Sequence, residues 1–307
     1  MSFSAQAKGE LCRTAISRRC CARAEAYGVL LYCNQFTAQQ ARIVTESPDF
    51  AARLPALFQK AFQVRFDRLP EPGAGKRTFA ITQADKLSAL WSAFGCEPGE
   101  TLAHHINFAV LEEAHCRTAF FRGAFLAGGS VTDPAKRYHL ELSTPHLSVS
   151  RELRALLLEE GFSPKETRRK GAGITYFKQS EAIEDFLTAL GAPLAAMELM
   201  NAKAEKDLRG SVNRRVNCDA ANLDKAVDAA QEQIEAIYRL EERGLLEGLP
   251  DKLKEAVDLR MAHPEMTLSQ LGELCKPPVT KSAFNHRLRK LLALAGQSEG
   301  GAKREGV

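Results

Sequence analysis

A chain of 307 residues is about twice the length of a common domain, which favours two domains. A hydrophobic share of 45% with 26% charged residues excludes a wholly disordered chain, and no apolar run approaches the roughly 20 residues of a membrane helix. The net charge of +4 is small, and the opening Met1-Ser2-Phe3-Ser4-Ala5-Gln6 lacks the apolar core of a signal peptide, so a cytoplasmic location is expected.

In chain order, a helix of small and apolar residues is predicted at about 20–33 and an extended segment at Ala41 to Thr45. A second helix follows at about 48–62, with Ser47-Pro48 suited to its start. A hairpin pairing Gln63 to Arg68 with Lys76 to Thr82 comes next, then a helix closed by Gly95. The same series then recurs. Gln83 to Gly95 matches Gln179 to Gly191 at an offset of 96, and Ser47-Pro48 matches Thr144-Pro145 at an offset of 97. The second series runs through a helix at about 112–128, a strand at Tyr138 to Leu142 and a helix at about 147–160. A hairpin of Ser163 to Lys170 with Gly173 to Lys178 and a closing helix complete it. The fold expected is α+β, a duplicated αββαββα domain over 1–194 with copies at about 1–96 and 111–194.

Beyond Gly191 only helices are predicted. Residues 195–222 read as a linker helix and loop, the loop being Arg209 to Asn222 with Gly210, Ser211 and three asparagines. Residues 223–295 read as an all-α domain, with helices at Lys225 to Arg243 and Leu253 to Met261. Thr267 then caps Leu268 to Cys275, Pro277-Pro278-Val279 stops the chain, and Thr280 caps Lys281 to Ala295. The Gly- and charge-rich tail 296–307 is expected to be disordered.

A short helix, a four-residue break and a basic helix form a helix–turn–helix, whose second helix enters a DNA major groove. Phe284, Leu288, Leu291 and Leu292 form its apolar stripe. Ser282, His286, Arg289 and Lys290 fall opposite, with Lys281 and Asn285 at the edges. Residues 276–290 carry Lys276, Lys281, Arg287, Arg289 and Lys290 without one acid, a pattern suited to duplex DNA. The DNA-reading set expected is Thr280, Lys281, Ser282, Asn285, His286, Arg287, Arg289 and Lys290. Further basic islands at Lys165, Arg168, Arg169 and Lys170, and at Arg214 and Arg215, are candidate phosphate contacts.

Small residues four apart, Gly123/Ala127 and Ala124/Gly128, with Ala24 and Gly28 in the first copy, predict two helices in close approach between the halves. Phe125-Leu126-Ala127-Gly128-Gly129-Ser130-Val131-Thr132-Asp133-Pro134 resembles the second dodecapeptide of the LAGLIDADG homing-endonuclease fold, in the form of the bacterial WhiA family. Cys20-Cys21-Ala22-Arg23-Ala24-Glu25 resembles that family's first motif, Arg214 to Lys225 its linker motif, and Pro277 to Leu291 its DNA-reading helix. The resemblance spans nearly all of 1–295. It implies a LAGLIDADG-like domain before a helix–turn–helix similar to the promoter-reading region of sigma factors. It also implies a regulator of transcription in cell division, chromosome segregation and sporulation. The partners implied are double-stranded DNA and RNA polymerase or a sigma factor, on the nucleoid and not on a membrane.

LAGLIDADG nucleases hold divalent metal on an acid at the end of each central helix. Asp133 matches that place in the second copy, whereas Cys33-Asn34 stands there in the first, so Asp133 is a degenerate nuclease position and no catalysis is expected. The alternatives are an endonuclease retaining one acid, or a first domain that serves only as a protein-interaction platform. The eight cysteines include no Cys-x-x-Cys pair, and neither His104-His105 nor His115-Cys116 has a partner pair at ligand spacing. Adjacent Cys20-Cys21 would need unusual geometry to ligate one ion. Free thiols, with no metal and no cofactor, are expected.

Overall fold

The computed structural model describes residues 2–71, 73, 75–96 and 103–296. They form two compact units, Met1–Leu208 and Arg209–Val307. No helix among the described residues is long and apolar enough to cross a membrane.

The first unit opens with α1 (Phe3–Arg13), a helix beyond those predicted; the Ser2 hydroxyl caps it by accepting the Ala5 N–H at 3.2 Å. The first copy comprises α2 (Arg19–Tyr32), β1 (Gln35–Phe36), β2 (Ala41–Thr45), α3 (Pro48–Phe62), β3 (Arg77–Ile81) and α4 (Ala84–Ser92). After a 3-10 turn at Phe108–Leu111, the second comprises α5 (Ala114–Gly128), β4 (Gly129–Val131) and β5 (Leu140–Thr144). It ends with α6 (Leu147–Glu159), β6 (Lys165–Arg169), β7 (Ala172–Phe177) and α7 (Ser180–Leu190). The sheets are antiparallel, ordered β1-β2-β3 and β4-β5-β7-β6.

The duplication and its central pair are observed. α2 and α5 pack backbone to backbone: a Cβ on Gly28 would lie 2.2 Å from the Phe120 carbonyl oxygen, and one on Gly123 only 1.9 Å from that of Glu25. Any side chain there would force the helices apart. Beside this contact Glu25, 2% exposed, accepts from Arg53 in bidentate fashion at 2.6 and 2.9 Å, and from Arg122 at 3.4 Å. Arg53 also donates to the carbonyls of Cys12 and Thr14, which ties α1, α2 and α3 together. Aromatic side chains fill the remaining core, among them Phe58, Phe94, Phe120, Phe125, Phe177 and Phe186.

Two local expectations need correction in this unit. The first strand of the copy-one hairpin is absent as a ladder: only an isolated Arg68–Ala80 bridge remains, and Pro70 lacks the N–H that would carry the pairing onward. The helix expected at about 112–128 does end at Gly128, where Gly129 turns extended into β4. Thr144 does not cap α6. Its buried hydroxyl donates to the Leu31 carbonyl at 2.8 Å, whereas Ser47 does cap α3.

The loop expected at Arg209 to Asn222 is also corrected, since α8 runs as one helix over Pro193–Glu242. Good helix formers and an unbroken backbone ladder outweigh single Gly and Asn residues. Glu10 caps its start, accepting the N–H groups of Leu194 and Ala195 at 2.8 and 3.0 Å. The second unit contains the later turns of α8, then α9 (Asp251–Ala262), α10 (Leu268–Leu274) and α11 (Lys281–Gly296). Ala236, Ile237 and Leu240 of α8 share one core with Leu253, Ala256, Leu271, Phe284, Leu288 and Leu291. The expected disordered tail lies outside the described residues beyond Gly296.

Candidate nucleic-acid interface

The α10–α11 pair is built by local chemistry. A capping box starts α10: the Thr267 hydroxyl accepts the Gln270 N–H, and Gln270 Oε1 accepts the Thr267 N–H at 2.9 Å. Gly272 allows the turn to close on the helix, since a Cβ there would stand 2.5 Å from the Val279 carbonyl oxygen. The Val279 N–H donates to the Gly272 carbonyl at 2.8 Å. Thr280 Oγ1 then accepts the Ala283 N–H at 3.3 Å and opens α11.

Along α11, Phe284, Leu288, Leu291 and Ala295 are buried. Thr280, Lys281, Ser282, His286, Arg289 and Lys290 are exposed, and Asn285 is half-buried at the edge. The expected set therefore gathers on one face, with one correction. The half-buried Arg287 guanidinium is held 2.7 Å from Glu255 Oε2. Glu255 Oε1 accepts the Lys276 N–H at 2.7 Å. That backbone bond and the Arg287 charge lower the Glu255 pKa below its ordinary value. Arg287 thus ties α11 and the turn to α9, whereas Lys281, Ser282, His286, Arg289 and Lys290 stand exposed.

In the first unit, strand alternation divides the basic hairpin. Gly173 and Thr175 of β7 face α6, where Thr175 meets Ser150, and their β6 partners Arg168 and Glu166 share that side. Lys165, Thr167 and Arg169 point to the opposite, open face, together with Tyr176. There Glu141 bonds Arg169 at 2.7 Å and His139 at 3.1 Å, and these partners lower its pKa although burial alone would raise it. Lys178 lies over the Tyr176 ring at 5.4 Å. Lys170 takes the turn itself, at φ 52. Arg214 and Arg215 are exposed on α8.

Neither central helix ends in an acid. α2 closes at Tyr32-Cys33 and α5 at Gly128-Gly129, with a Cβ on Gly128 meeting the Tyr32 ring at 2.8 Å. Asp133 lies beyond β4, exposed, where its carboxylate accepts the Ala135 N–H at 2.9 Å and shapes a turn. It does not occupy the helix-end position assigned to it from the sequence.

Comparison with known proteins now fits this geometry. Residues 117–209 match the WhiA LAGLIDADG-like domain, and residues 212–295 match the WhiA C-terminal HTH domain. A protein of Ruminiclostridium cellulolyticum called "Probable cell division protein WhiA" is 37% identical over 96% of this chain and 97% of its own. One of Alkaliphilus metalliredigens with the same description is 34% identical over 98% and 99%. The chain belongs to the WhiA family. Its fold is shared by the crystal structure of full-length WhiA from Thermatoga maritima, at a TM-score of 0.60 and 23% identity over 96% of this chain and 98% of that one.

One cluster in this WhiA-family protein was missed from the sequence. Cys20, Cys21, His115 and Cys116 converge, each pair of potential ligand atoms within 4.8 Å. Neither dipeptide has metal-ligand spacing by itself, so only the offset of 95 residues between them, on two helices predicted to touch, could have signalled it. His104, by contrast, stacks on Phe36 and Trp91 and bonds the Phe36 carbonyl at 2.8 Å, with the His146 ring 4.1 Å away. Burial, then the His104 charge, push His146 down to about 4.

Proposed function

We propose that this WhiA-family protein is a sequence-specific, DNA-binding transcriptional regulator acting in cell division, chromosome segregation and sporulation. Double-stranded DNA is its partner, RNA polymerase or a sigma factor the machinery it meets, and the nucleoid its place of action. The observation that carries the reading is the α11 face, where Lys281, Ser282, His286, Arg289 and Lys290 stand exposed on a helix seated by its own core. Ser, Asn, His and Arg can bond base edges, and Lys and Arg can neutralise phosphates. The family membership supports the cell-division context, through the relatives' descriptions.

The first unit is proposed to be a nuclease scaffold without cleavage chemistry, contributing phosphate contacts from Lys165 and Arg169. Helix ends at Tyr32 and Gly128, with no carboxylate, favour this over an endonuclease. Selection of genomic fragments by the full chain, followed by titration on a selected site, tests the reading. Asn285→Ala or Arg289→Ala should weaken binding to the selected site by about 1–3 kcal/mol and binding to random DNA by less. Equal losses on both would assign these side chains to the phosphate backbone. The selected DNA should stay intact with Mg²⁺ or Mn²⁺; cleavage abolished by Asp133→Asn would establish the endonuclease instead.

A further inference from the structure

The first turns of the two central helices carry a matched set of soft ligands. α2 begins at Arg19 and α5 at Ala114, so Cys20 and His115 occupy the second helical position and Cys21 and Cys116 the third. Because Gly28 and Gly123 bring the helices into backbone contact, these first turns face each other across the boundary between the copies. His115 Nδ1 lies 3.4 Å from Cys21 Sγ and 3.2 Å from Cys116 Sγ, and the exposed Cys20 completes a group spanning no more than 4.8 Å. A zinc ion with bonds of about 2.3 Å to sulfur and about 2.0 Å to nitrogen sets its ligand atoms about 3.5–3.8 Å apart. The group needs to contract by only about 1 Å, within the rotamer freedom of first-turn side chains.

We propose that Cys20, Cys21, His115 and Cys116 form a structural zinc site that staples the two copies together. Three thiolates and one imidazole match the tetrahedral, sulfur-rich sets that hold zinc. Binding exchanges three thiol protons for the ion, leaves its oxidation state unchanged and gives the site a net charge of −1. Arg18, Arg19 and Arg23, in or beside the first turn of α2, supply compensating charge, as do the two helix N-termini. All four ligand positions are filled by protein, so the ion has no open place for water or phosphate. The helix ends at Tyr32 and Gly128 lie about 20 Å away along the axis, which separates the site from the open sheet faces. Two adjacent ligand pairs are an unusual way to hold zinc. Here each pair needs to span only one first turn, and the pseudo-symmetry supplies the other.

The test uses the full chain purified in reductant, with metal analysis and cobalt exchange. About one zinc per chain is expected, and Co²⁺ should give thiolate-to-cobalt charge transfer with strong tetrahedral visible bands. Cys20→Ser with Cys116→Ser should reduce both at least tenfold, while Cys218→Ser, on the exposed flank of α8, should keep them. Zinc should also protect Cys20, Cys21 and Cys116 from alkylation, as mapped by peptide mass spectrometry, in the unaltered chain. That readout holds even where the double variant folds poorly. Substoichiometric metal, cobalt bands lacking charge transfer, or equal alkylation of the three thiols with and without zinc would overturn the proposal.

Discussion

The two copies of the first unit start from one plan and finish their sheets differently. In copy two, Lys170 and Gly171 both take positive φ, 52 and 82, the backbone of a tight two-residue hairpin turn, and β6 pairs with β7 along five residues. In copy one the connection is longer and contains Pro70 and Pro72, and the corresponding segment reaches β3 only through the Arg68–Ala80 bridge. The helices at the copy boundary diverge far less, since neither can move without breaking the Gly28–Gly123 approach. A duplicated fold thus keeps what both halves must share and lets the outer edge vary. The surviving edge strand is also the one that carries Lys165 and Arg169, which assigns the proposed phosphate contacts to copy two.

The shared boundary should give the largest effect. Gly123→Ala places a methyl group 1.9 Å from the Glu25 carbonyl oxygen and should cost about 3 kcal/mol or more of the first unit's stability, measured by urea unfolding. Gly161→Ala, at φ 85 with open space around it, should cost only about 1 kcal/mol. Similar losses at both positions would mean that the helices separate readily.

The second effect depends on pH. His146 has a folded pKa of about 4, lowered by burial and then by His104, against an unfolded value near 6.5. Between these values the unfolded chain binds the proton and the folded chain does not. Stability is therefore complete above about pH 6.5 and falls as the pH drops towards 4, by about 1–2 kcal/mol for a half-buried ring. His146→Phe should flatten the thermal stability profile over that window. An unchanged slope would remove this residue from the acid sensitivity.

Hydrogen exchange sharpens the contrast between the hairpins. Amides of β6 that bond β7 should be protected, whereas those of 64–66 should exchange near the rate of open chain. Gly171→Val, at φ 82, should bring β6 towards the copy-one behaviour at a cost of about 1–2 kcal/mol. Comparable protection in both wild-type segments would show that copy one also forms its fourth strand.

The smallest effect concerns salt. Each lost phosphate contact reduces the slope of log K against log salt by about 0.9. Lys165→Ser with Arg169→Ser should reduce it by up to about 2, while Arg168→Ser, on the helix side of the strand, should leave it nearly unchanged. Lines parallel to that of the unaltered chain for both variants would make the first unit an interaction platform.

Much of this was legible in the residues. The repeat at an offset of 96, the Gly/Ala spacing on the central helices and the α10–α11 caps are local or periodic signals, because capping and close helix approach need particular residue types at particular places. They determined the duplicated α+β plan, the central helix pair and the exposed face of α11. Tertiary structure decided what depends on partners distant in sequence. Arg287 reads as one more exposed base until Glu255, 32 residues earlier, holds it. Asp133 reads as a helix-end acid until Gly129 pairs with Leu142 and draws the chain into a strand. Cys20-Cys21 and His115-Cys116 are unremarkable dipeptides until two glycines let their helices touch. Sequence spacing records which side chains share a face of one element, but a set of ligands or an ion pair forms only where separate elements converge, and packing alone fixes that distance.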